Sequence, residues 1–178
     1  MIPLRTRLLL AAMLAAAALA LPAVSAQAGT TRTPIHGHEI AVACEGPGGQ
    51  YFFPHEKWFA RDEPFCTIVI PDPGSDQRYS GYNVALLNIN SKPAPEPAYL
   101  TAQMWGTFRV TNQPNTADCW EGTSTARRDE RGYTFLRAVA KGHGAYEGMR
   151  LELYVQHLSP DDSVPFEYTG YIIEPGNP

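Results

Sequence analysis

Residues Gly142–His157, "GHGAYEGMRLELYVQH", join a run of closely spaced glycines to a run in which apolar and polar side chains alternate. Alternation with a period of two is typical of a half-buried β-strand, whose successive side chains point to opposite faces. It predicts an inward row that ends at a histidine: Met149, Leu151, Leu153, Val155 and His157. A strand and not a helix therefore follows the glycines, and this decides the fold class.

The glycines at the start of this segment predict a bend between two strands. Phosphate-binding loops need G-x-G-x-x-G or G-x-x-x-x-G-K-[ST] ahead of a helix, whereas the spacing here is G-x-G-x-x-x-G ahead of a strand. In an extended chain these glycines let the sheet bend beneath a covering aromatic ring, and in a turn they supply positive φ. This structural role is assigned to Gly142, Gly144, Tyr146 and Gly148.

The rest of the chain predicts an all-β fold. Residues 100–111 give the cleanest alternation, and the chain has 15 glycines and 16 prolines but no long Glu/Lys/Leu-rich stretch of the kind that forms helices. The spacing of the strands favours an antiparallel barrel of about eight strands, with a β-sandwich as the alternative. One helical turn is expected within residues 55–61.

The N-terminus has the layout of a secretory signal peptide, with two arginines, a Leu/Ala-rich run and a small-residue tail. We assign residues 1–26 to this signal, with cleavage after Ala26 or Ala28, which predicts a secreted or periplasmic protein with no membrane association in its mature form. Residues 27–37 are expected to form a disordered tail, and residues 38–178 a single β-barrel domain.

The charge pattern excludes nucleic acid as a partner. The signal segment carries two arginines and no acid, so its removal makes the chain more acidic than its formal net charge of −4. The densest basic stretch, residues 127–131, is interleaved with acids. It is typical of a solvated hairpin tip and not of a basic face that binds phosphates.

Three cysteines are available for disulfide formation in an exported protein. We favour a bond between Cys44 and Cys66, which would close a loop of moderate length and contribute about 3 kcal/mol in the chain-entropy model. Cys119 would then remain a buried or intermolecular thiol. A bond between Cys66 and Cys119 stays open as the alternative, because sequence alone does not fix the pairing.

Short glycine and aromatic motifs carry a family resemblance over roughly the C-terminal half of the chain. They are "WGTF" at Trp105, "WEGT" at Trp120 and "GHGAYEG" at Gly142, and they resemble a pattern of uncharacterised secreted β proteins. The G-x-G-x-[FY] element also resembles that of the allene oxide cyclase and dirigent barrels. The resemblance implies an eight-stranded antiparallel barrel, often with a hydrophobic lumen and sometimes oligomeric. No catalytic residue of either family matches a position here.

A barrel lumen is where we expect a ligand to bind, because pockets combine apolar walls with a few orienting polar groups. The lumen candidates are Met104, Phe108, Trp120, Arg137, Leu151, Leu153 and His157. Arg137 is included because it interrupts an aromatic and aliphatic row, as His157 does at the end of its own row. No catalytic residue and no cofactor are assigned, since the chain lacks nucleophile-elbow and zinc-protease motifs.

Two pairs of residues that include histidine have spacings that suit a chemical role. His36 and His38 have a spacing that can share a metal ion in an extended chain, but no further ligands are evident, so no metal is predicted. His143 and Glu147 have a spacing that suits an acid–base pair at a barrel mouth, yet such residues at a turn are usually solvated.

These observations support three hypotheses of function. The first is a secreted β-barrel module that binds a small apolar ligand or a protein partner without chemistry of its own. The second is a barrel isomerase or cyclase that encloses its substrate. The third is a structural role for an oligomeric barrel, which a lumen filled by Met104, Phe108 and Trp120 would favour. Trp105 lies on the polar face of its strand, which suggests that a neighbouring segment or a partner subunit covers it. A large apolar cavity with an orienting charge favours the first two.

Overall fold

The computed structural model describes residues 29–52, 57–92, 100–112 and 117–176, and these contain nine β-strands and a single turn of 3-10 helix. The strands are β1 (Thr31–Val42), β2 (Gln50–Phe52), β3 (Trp58–Pro71), β4 (Gly81–Lys92), β5 (Thr101–Thr111), β6 (Cys119–Arg128), β7 (Thr134–His143), β8 (Arg150–His157) and β9 (Phe166–Glu174). None of the described residues forms a helix of the length and apolar character that a membrane span requires.

The strands form a closed antiparallel barrel. From β3 to β9 each strand pairs with the next in the chain, and β1 closes the ring by pairing with both β9 and β3. The short strand β2 pairs with the part of β3 that β1 does not reach, so eight strands make the barrel and one is additional. The predicted barrel is confirmed, and the sandwich alternative is not what the chain adopts.

Alternation along the strands separates an apolar interior from a polar exterior, as the sequence predicts. In β8, Leu151, Leu153 and Val155 are buried, whereas Tyr154 is half exposed on the outer face. Met149 precedes this strand and packs partly buried against the core. The inward row of β8 is therefore confirmed.

The barrel has a filled end, which we define as the end that carries the β3–β4, β5–β6 and β7–β8 connections. Trp120, Val110 and Ile172 are completely buried there. The β3–β4 connection, residues 72–80, turns inward and buries Tyr79. The carbonyl oxygen of Arg78 in this connection accepts a hydrogen bond of 2.8 Å from the indole nitrogen of Trp120. Side chains and one loop thus close this end.

The glycine-rich segment forms the tight β7–β8 connection. Gly144 and Gly148 have φ values of +65° and +82°, which residues with a Cβ rarely adopt, and Gly144–Tyr146 forms the 3-10 turn. The ring of Tyr146 stacks on Trp120 with centroids 5.1 Å apart, and a Cβ at Gly142 would clash with Tyr146. The predicted bend is confirmed as a turn and not as an extended strand.

The disulfide between Cys44 and Cys66 is present, with Cα atoms 5.3 Å apart. Cys66 lies on β3 opposite Val42 of β1, so the bond ties the chain just after β1 to β3, the strand with which β1 closes the barrel. Cys119 is a buried free thiol, and the alternative pairing with Cys66 is therefore wrong.

Two predicted boundaries are wrong. Residues 31–37, expected in a disordered tail, belong to β1, because their backbone pairs with β9. Residues 58–61, expected in a helical turn, begin β3, where Phe59 and Ala60 pair with both β2 and β4. The part of the tail before residue 29, and residues 55 and 56 of the expected turn, lie outside the described residues.

Candidate ligand-binding lumen

The half of the barrel away from the filled end holds a cavity of about 250 Å³. We call this half the cavity end. Its walls are mainly apolar side chains that point inward from successive strands: Phe65, Leu87, Ile89, Met104, Phe108, Leu136, Leu153, Val155 and Phe166. Three small wall residues, Ala126, Ala138 and Ser124, leave space between these larger side chains. Alternating large and small inward residues thus produce a hollow and not a packed core.

A carboxyl group lies against this cavity inside the barrel. Glu39 alternates in β1 with exposed His38 and Ile40, and the period of two directs its side chain inward. It is buried, and it accepts hydrogen bonds of 2.8 Å from the hydroxyl groups of Thr67 on β3 and Tyr79 in the β3–β4 connection. These two neighbours fix the position of the carboxyl group.

Burial controls the protonation of this group. Desolvation raises the pKa of Glu39 above its ordinary value of 4.5, although the hydrogen bonds from Thr67, Tyr79 and Asn83 act in the opposite direction. Burial also raises the pKa of Tyr79 well above its usual range, and the nearby Glu39 carboxyl adds to the effect. The uncharged forms of both groups are therefore favoured inside the barrel.

Two buried polar atoms near Glu39 have no hydrogen-bond partner among the described residues. One is Oδ1 of Asn83, whose amide nitrogen is 3.2 Å from the Thr67 hydroxyl, and the other is the hydroxyl oxygen of Tyr168. Asn83 lines the cavity, whereas the ring of Tyr168 packs edge-on against Tyr79 with centroids 5.0 Å apart. An unpaired buried carbonyl is costly, so Asn83 offers an acceptor that a bound molecule can use.

Charged residues line the cavity at its outer part. Arg128 at the end of β6 donates from Nη2 to the carbonyl oxygen of Pro160 at 3.2 Å, and its Nη1 is 3.8 Å from Oδ1 of Asp162. Glu63 at the start of β3 lines the cavity as well.

Six of the seven predicted lumen residues lie inside the barrel, in three groups. Met104, Phe108 and Leu153 line the cavity. Trp120 and Leu151 point inward but are buried in the core. His157 is buried at the end of β8, stacked on Phe166, with Nε2 3.0 Å from the carbonyl oxygen of Val164.

The prediction that Arg137 lies in the lumen is wrong. Its neighbours in β7, Leu136 and Ala138, line the cavity, so the period of two places Arg137 on the outer surface. There its guanidinium lies 5.4 Å from the ring centroid of Tyr154. The aromatic and aliphatic row that it interrupts in the sequence is the outer face of β7 and not the inner one.

The two histidine pairs lie away from the cavity. Nδ1 of His36 is 2.9 Å and Nδ1 of His38 is 3.1 Å from the two carboxylate oxygens of Asp72, on the outer surface. No side-chain cluster within the described ranges has the donors that a metal ion requires. His143 and Glu147 lie at the filled end, with Nδ1 3.9 Å from the carboxylate, so they do not form an acid–base pair at the mouth of this cavity.

Sequence reasoning missed the residues that give the cavity its polar character: Glu39, Thr67, Tyr79 and Asn83. A signal for Glu39 was present, since it lies an even number of positions from Ile35 in the same strand and so faces the same side. Tyr79 carried no such signal, because it comes from a turn.

No protein-family model, no curated protein and no solved structure matches this chain.

Proposed function

We propose that this protein binds a small, largely apolar molecule in the lumen of its barrel. The observation that carries the proposal is the cavity of about 250 Å³ with apolar walls and a hydrogen-bonded carboxyl group, Glu39, on its inner side. Pockets for small molecules combine these two features. An apolar cavity of about 150 Å³ in another protein accommodates benzene, so this volume suits a ligand somewhat larger than a single ring.

The position of the large side chains supports ligand binding over a purely structural role. A structural barrel would fill its lumen with Met104, Phe108 and Trp120, but the first two form walls around free space and the third packs at the filled end. The resemblance to allene oxide cyclase and dirigent barrels remains a prediction that fits this interpretation. Oligomerisation through Trp105, which is exposed on the outer surface, is compatible with lumen binding.

A second candidate is an isomerase or cyclase that encloses its substrate. The specific observation in its favour is Glu39, whose pKa is raised by burial and which lies beside Tyr79 on the cavity wall. A carboxyl group that keeps its proton to higher pH is a candidate proton donor in an enclosed site. Conversion of a bound ligand by the wild type, lost in Glu39→Gln with binding retained, would favour this candidate.

We infer that the chain is exported and loses its first residues. The Cys44–Cys66 disulfide supports this, because such bonds persist in oxidising compartments. Expression in a bacterium with a functional secretion pathway, followed by mass spectrometry of the exported protein, tests the inference. We expect a new N-terminus after Ala26 or Ala28, and an intact N-terminus on a protein retained inside the cell would contradict it.

Filling the cavity tests lumen binding directly. Ala138 is buried on the cavity wall, and Ala138→Phe places a ring in the free space. We expect the variant to lose binding of apolar probes such as 1-hexanol, measured by calorimetry, because the ligand and the ring compete for one volume. Thr123→Phe, at an exposed position of β6 that pairs with β7, is the matched control and should bind as the wild type does.

Two outcomes would contradict lumen binding. One is equal binding by the wild type and a folded Ala138→Phe variant. The other is that no apolar probe binds to the wild type. Thermal melts of both variants identify any loss of binding that follows from unfolding.

A further inference from the structure

We propose that the lumen selects a cationic ligand, namely a small apolar amine whose ammonium group pairs with the Glu39 carboxylate beside the acceptor of Asn83. This inference rests on the proposed binding function and adds the chemical class of the ligand to it.

Glu39 has no positively charged partner among the described residues. Its hydrogen-bond donors are Thr67, Tyr79 and Asn83, all of which are uncharged, and no ion pair joins it to a basic side chain within the described part of the barrel. A buried carboxylate is stable only when it is paired or hydrogen-bonded, and otherwise it takes up a proton. A ligand that brings its own positive charge into the cavity supplies the missing counter-charge.

The cavity supplies hydrogen-bond acceptors that an ammonium group can use. An ammonium group has three N–H donors and no acceptor. Glu39 has two carboxylate oxygens, and each receives one short hydrogen bond and retains further accepting capacity. Oδ1 of Asn83 is buried without a partner, and its amide nitrogen is 3.5 Å from Glu39. These oxygens can accept hydrogen bonds from an ammonium group. A carboxylate ligand has no donor and cannot bond to them.

The cavity lining carries predominantly negative charge. It includes three carboxyl groups, Glu39, Glu63 and Asp162, against one guanidinium, that of Arg128. Nη2 of Arg128 donates to Pro160 and Nη1 lies 3.8 Å from Asp162, whereas its buried Nε has no hydrogen-bond partner among the described residues. The pairing of Arg128 with Asp162 leaves Glu39 and Glu63 as the acids of the described lining without an ion pair. A cavity lined by one predominant sign of charge attracts ligands of the opposite sign. The lining therefore favours a cation over a fatty acid, whose carboxylate would meet acidic groups at both ends.

The charge of the free protein is consistent with this selection. Burial raises the pKa of Glu39, so the folded protein keeps the proton of this carboxyl to higher pH than the unfolded chain does. When an ammonium ion binds, that proton leaves to solvent and the carboxylate remains paired with the ligand. When a neutral amine binds, the proton passes from the carboxyl oxygen to the amine nitrogen. In both cases the bound state contains a carboxylate and an ammonium.

Three probes of equal chain length separate the head groups: n-hexylamine, 1-hexanol and hexanoate. Calorimetric titration of the wild type with each probe at neutral pH should give the tightest binding for hexylamine. Its affinity should exceed that of hexanol by about tenfold or more, because the alcohol cannot form a desolvated ion pair with Glu39. Hexanoate should bind most weakly.

Glu39→Gln keeps the shape of the side chain and removes its charge. We expect this variant to lose the preference for the amine, so that hexylamine binds no more tightly than hexanol does. Glu167→Gln is the matched control, since Glu167 is an exposed residue of β9 and its side chain bonds to Gln156 outside the barrel. It should retain the preference for the amine. If Glu39→Gln does not fold, the head-group series on the wild type still decides the question.

Each other outcome identifies which proposal fails. Equal binding of hexylamine and hexanol by the wild type would overturn the inference of a cationic ligand and leave lumen binding intact. Tightest binding of hexanoate would overturn the inference of a cationic ligand and would indicate that Arg128 binds the head group. Amine preference that persists in a folded Glu39→Gln variant would also overturn the inference. If none of the three probes bound to the wild type, that result would instead count against the proposed binding function.

Discussion

Glu39 shows how one residue changes meaning once its neighbours are known. In the sequence it is an acid in a short strand, similar to other acids in the chain. In the fold its hydrogen-bond partners come from β3, β4 and the β3–β4 connection, which are 28 to 44 residues further along the chain. No local pattern specifies such distant partners, although the alternation of β1 does specify the side of the strand on which Glu39 lies.

Replacing Glu39 by glutamine should change how stability depends on pH. The pKa of Glu39 is higher in the folded state than its ordinary value of 4.5, so the folded protein binds this proton more tightly than the unfolded chain does. Wild-type stability should therefore fall as pH rises from about 4.5 through the raised pKa. Glutamine has no such proton, so the stability of Glu39→Gln relative to the wild type should increase over the same range.

Urea unfolding of both proteins between pH 4 and pH 8 measures this difference. A difference in free energy of unfolding that stays constant with pH would show that the carboxyl has the same proton affinity in the folded and unfolded states.

Gly144→Val should destabilise the fold with or without a ligand. The φ of +65° at Gly144 is costly for a β-branched residue, and a Cβ there would also clash with Asp118. We expect a loss on the order of 1–3 kcal/mol. Gly48→Val is the matched control, because a Cβ at Gly48 meets no atom within 4 Å and its φ is not positive.

Thermal melts of both variants, with and without phosphate, measure the effect. An unchanged melting temperature for Gly144→Val, with phosphate stabilising only the wild type, would restore the interpretation of the segment as an anion-binding loop.

At the scale of elements, the strands were predictable where one face is buried and the other is wet. The alternation in β5 and β8 gave the correct inward faces, because a slip of one residue would expose the whole apolar row. Arg137 was misplaced because both faces of β7 carry apolar side chains, with Val139 exposed outside and Leu136 facing the cavity. Such a strand contains no decisive alternation, and only its pairing fixes the inner face.

Leu153→Ala should cost about 2 to 5 kcal/mol of stability, the usual range for removing a buried leucine side chain. Leu153 is almost fully buried on β8, in contact with the core cluster. Val139→Ala on the adjacent strand removes an exposed side chain and should change stability by less than about 0.5 kcal/mol. Chemical denaturation of both variants compares them, and similar losses would mean that the inner row of β8 does not form the core.

Reduction of the disulfide should lower stability by about 3 kcal/mol, since it releases a constraint on the unfolded chain. The bond joins residues with a sequence separation of 22. Melts in the presence and absence of a reductant measure the effect, and Cys119→Ala is the control because Cys119 is a free thiol. This control should remain sensitive to reductant, whereas the double variant Cys44→Ala, Cys66→Ala should not. If reductant lowered the melting temperature of Cys119→Ala and of the double variant equally, the disulfide would not be the cause of the lost stability.

At the scale of the whole molecule, the sequence predicted a barrel but not where it would be hollow. The filled end depends on Tyr79 and Tyr146, which enter from connections and not from strands. The cavity end depends on Ala126, Ala138 and Ser124 lying among larger residues of other strands. Both are properties of how eight strands are arranged around an axis, and a strand-by-strand interpretation does not contain them.

The double pairing of β1 makes the barrel a ring with no natural starting point. Thr31 lies opposite Glu174, so the first and last strands are direct neighbours in space, as any two consecutive strands are. Suppose that the end of β9 were linked to the start of β1 and the chain were cut in the turn between β6 and β7. Every strand of the ring would then keep both of its neighbours. The native order of the strands is thus one of several chain orders that are compatible with the same closed barrel. Of the nine strands in the described ranges, only β2, which pairs with β3 alone, lies outside the ring.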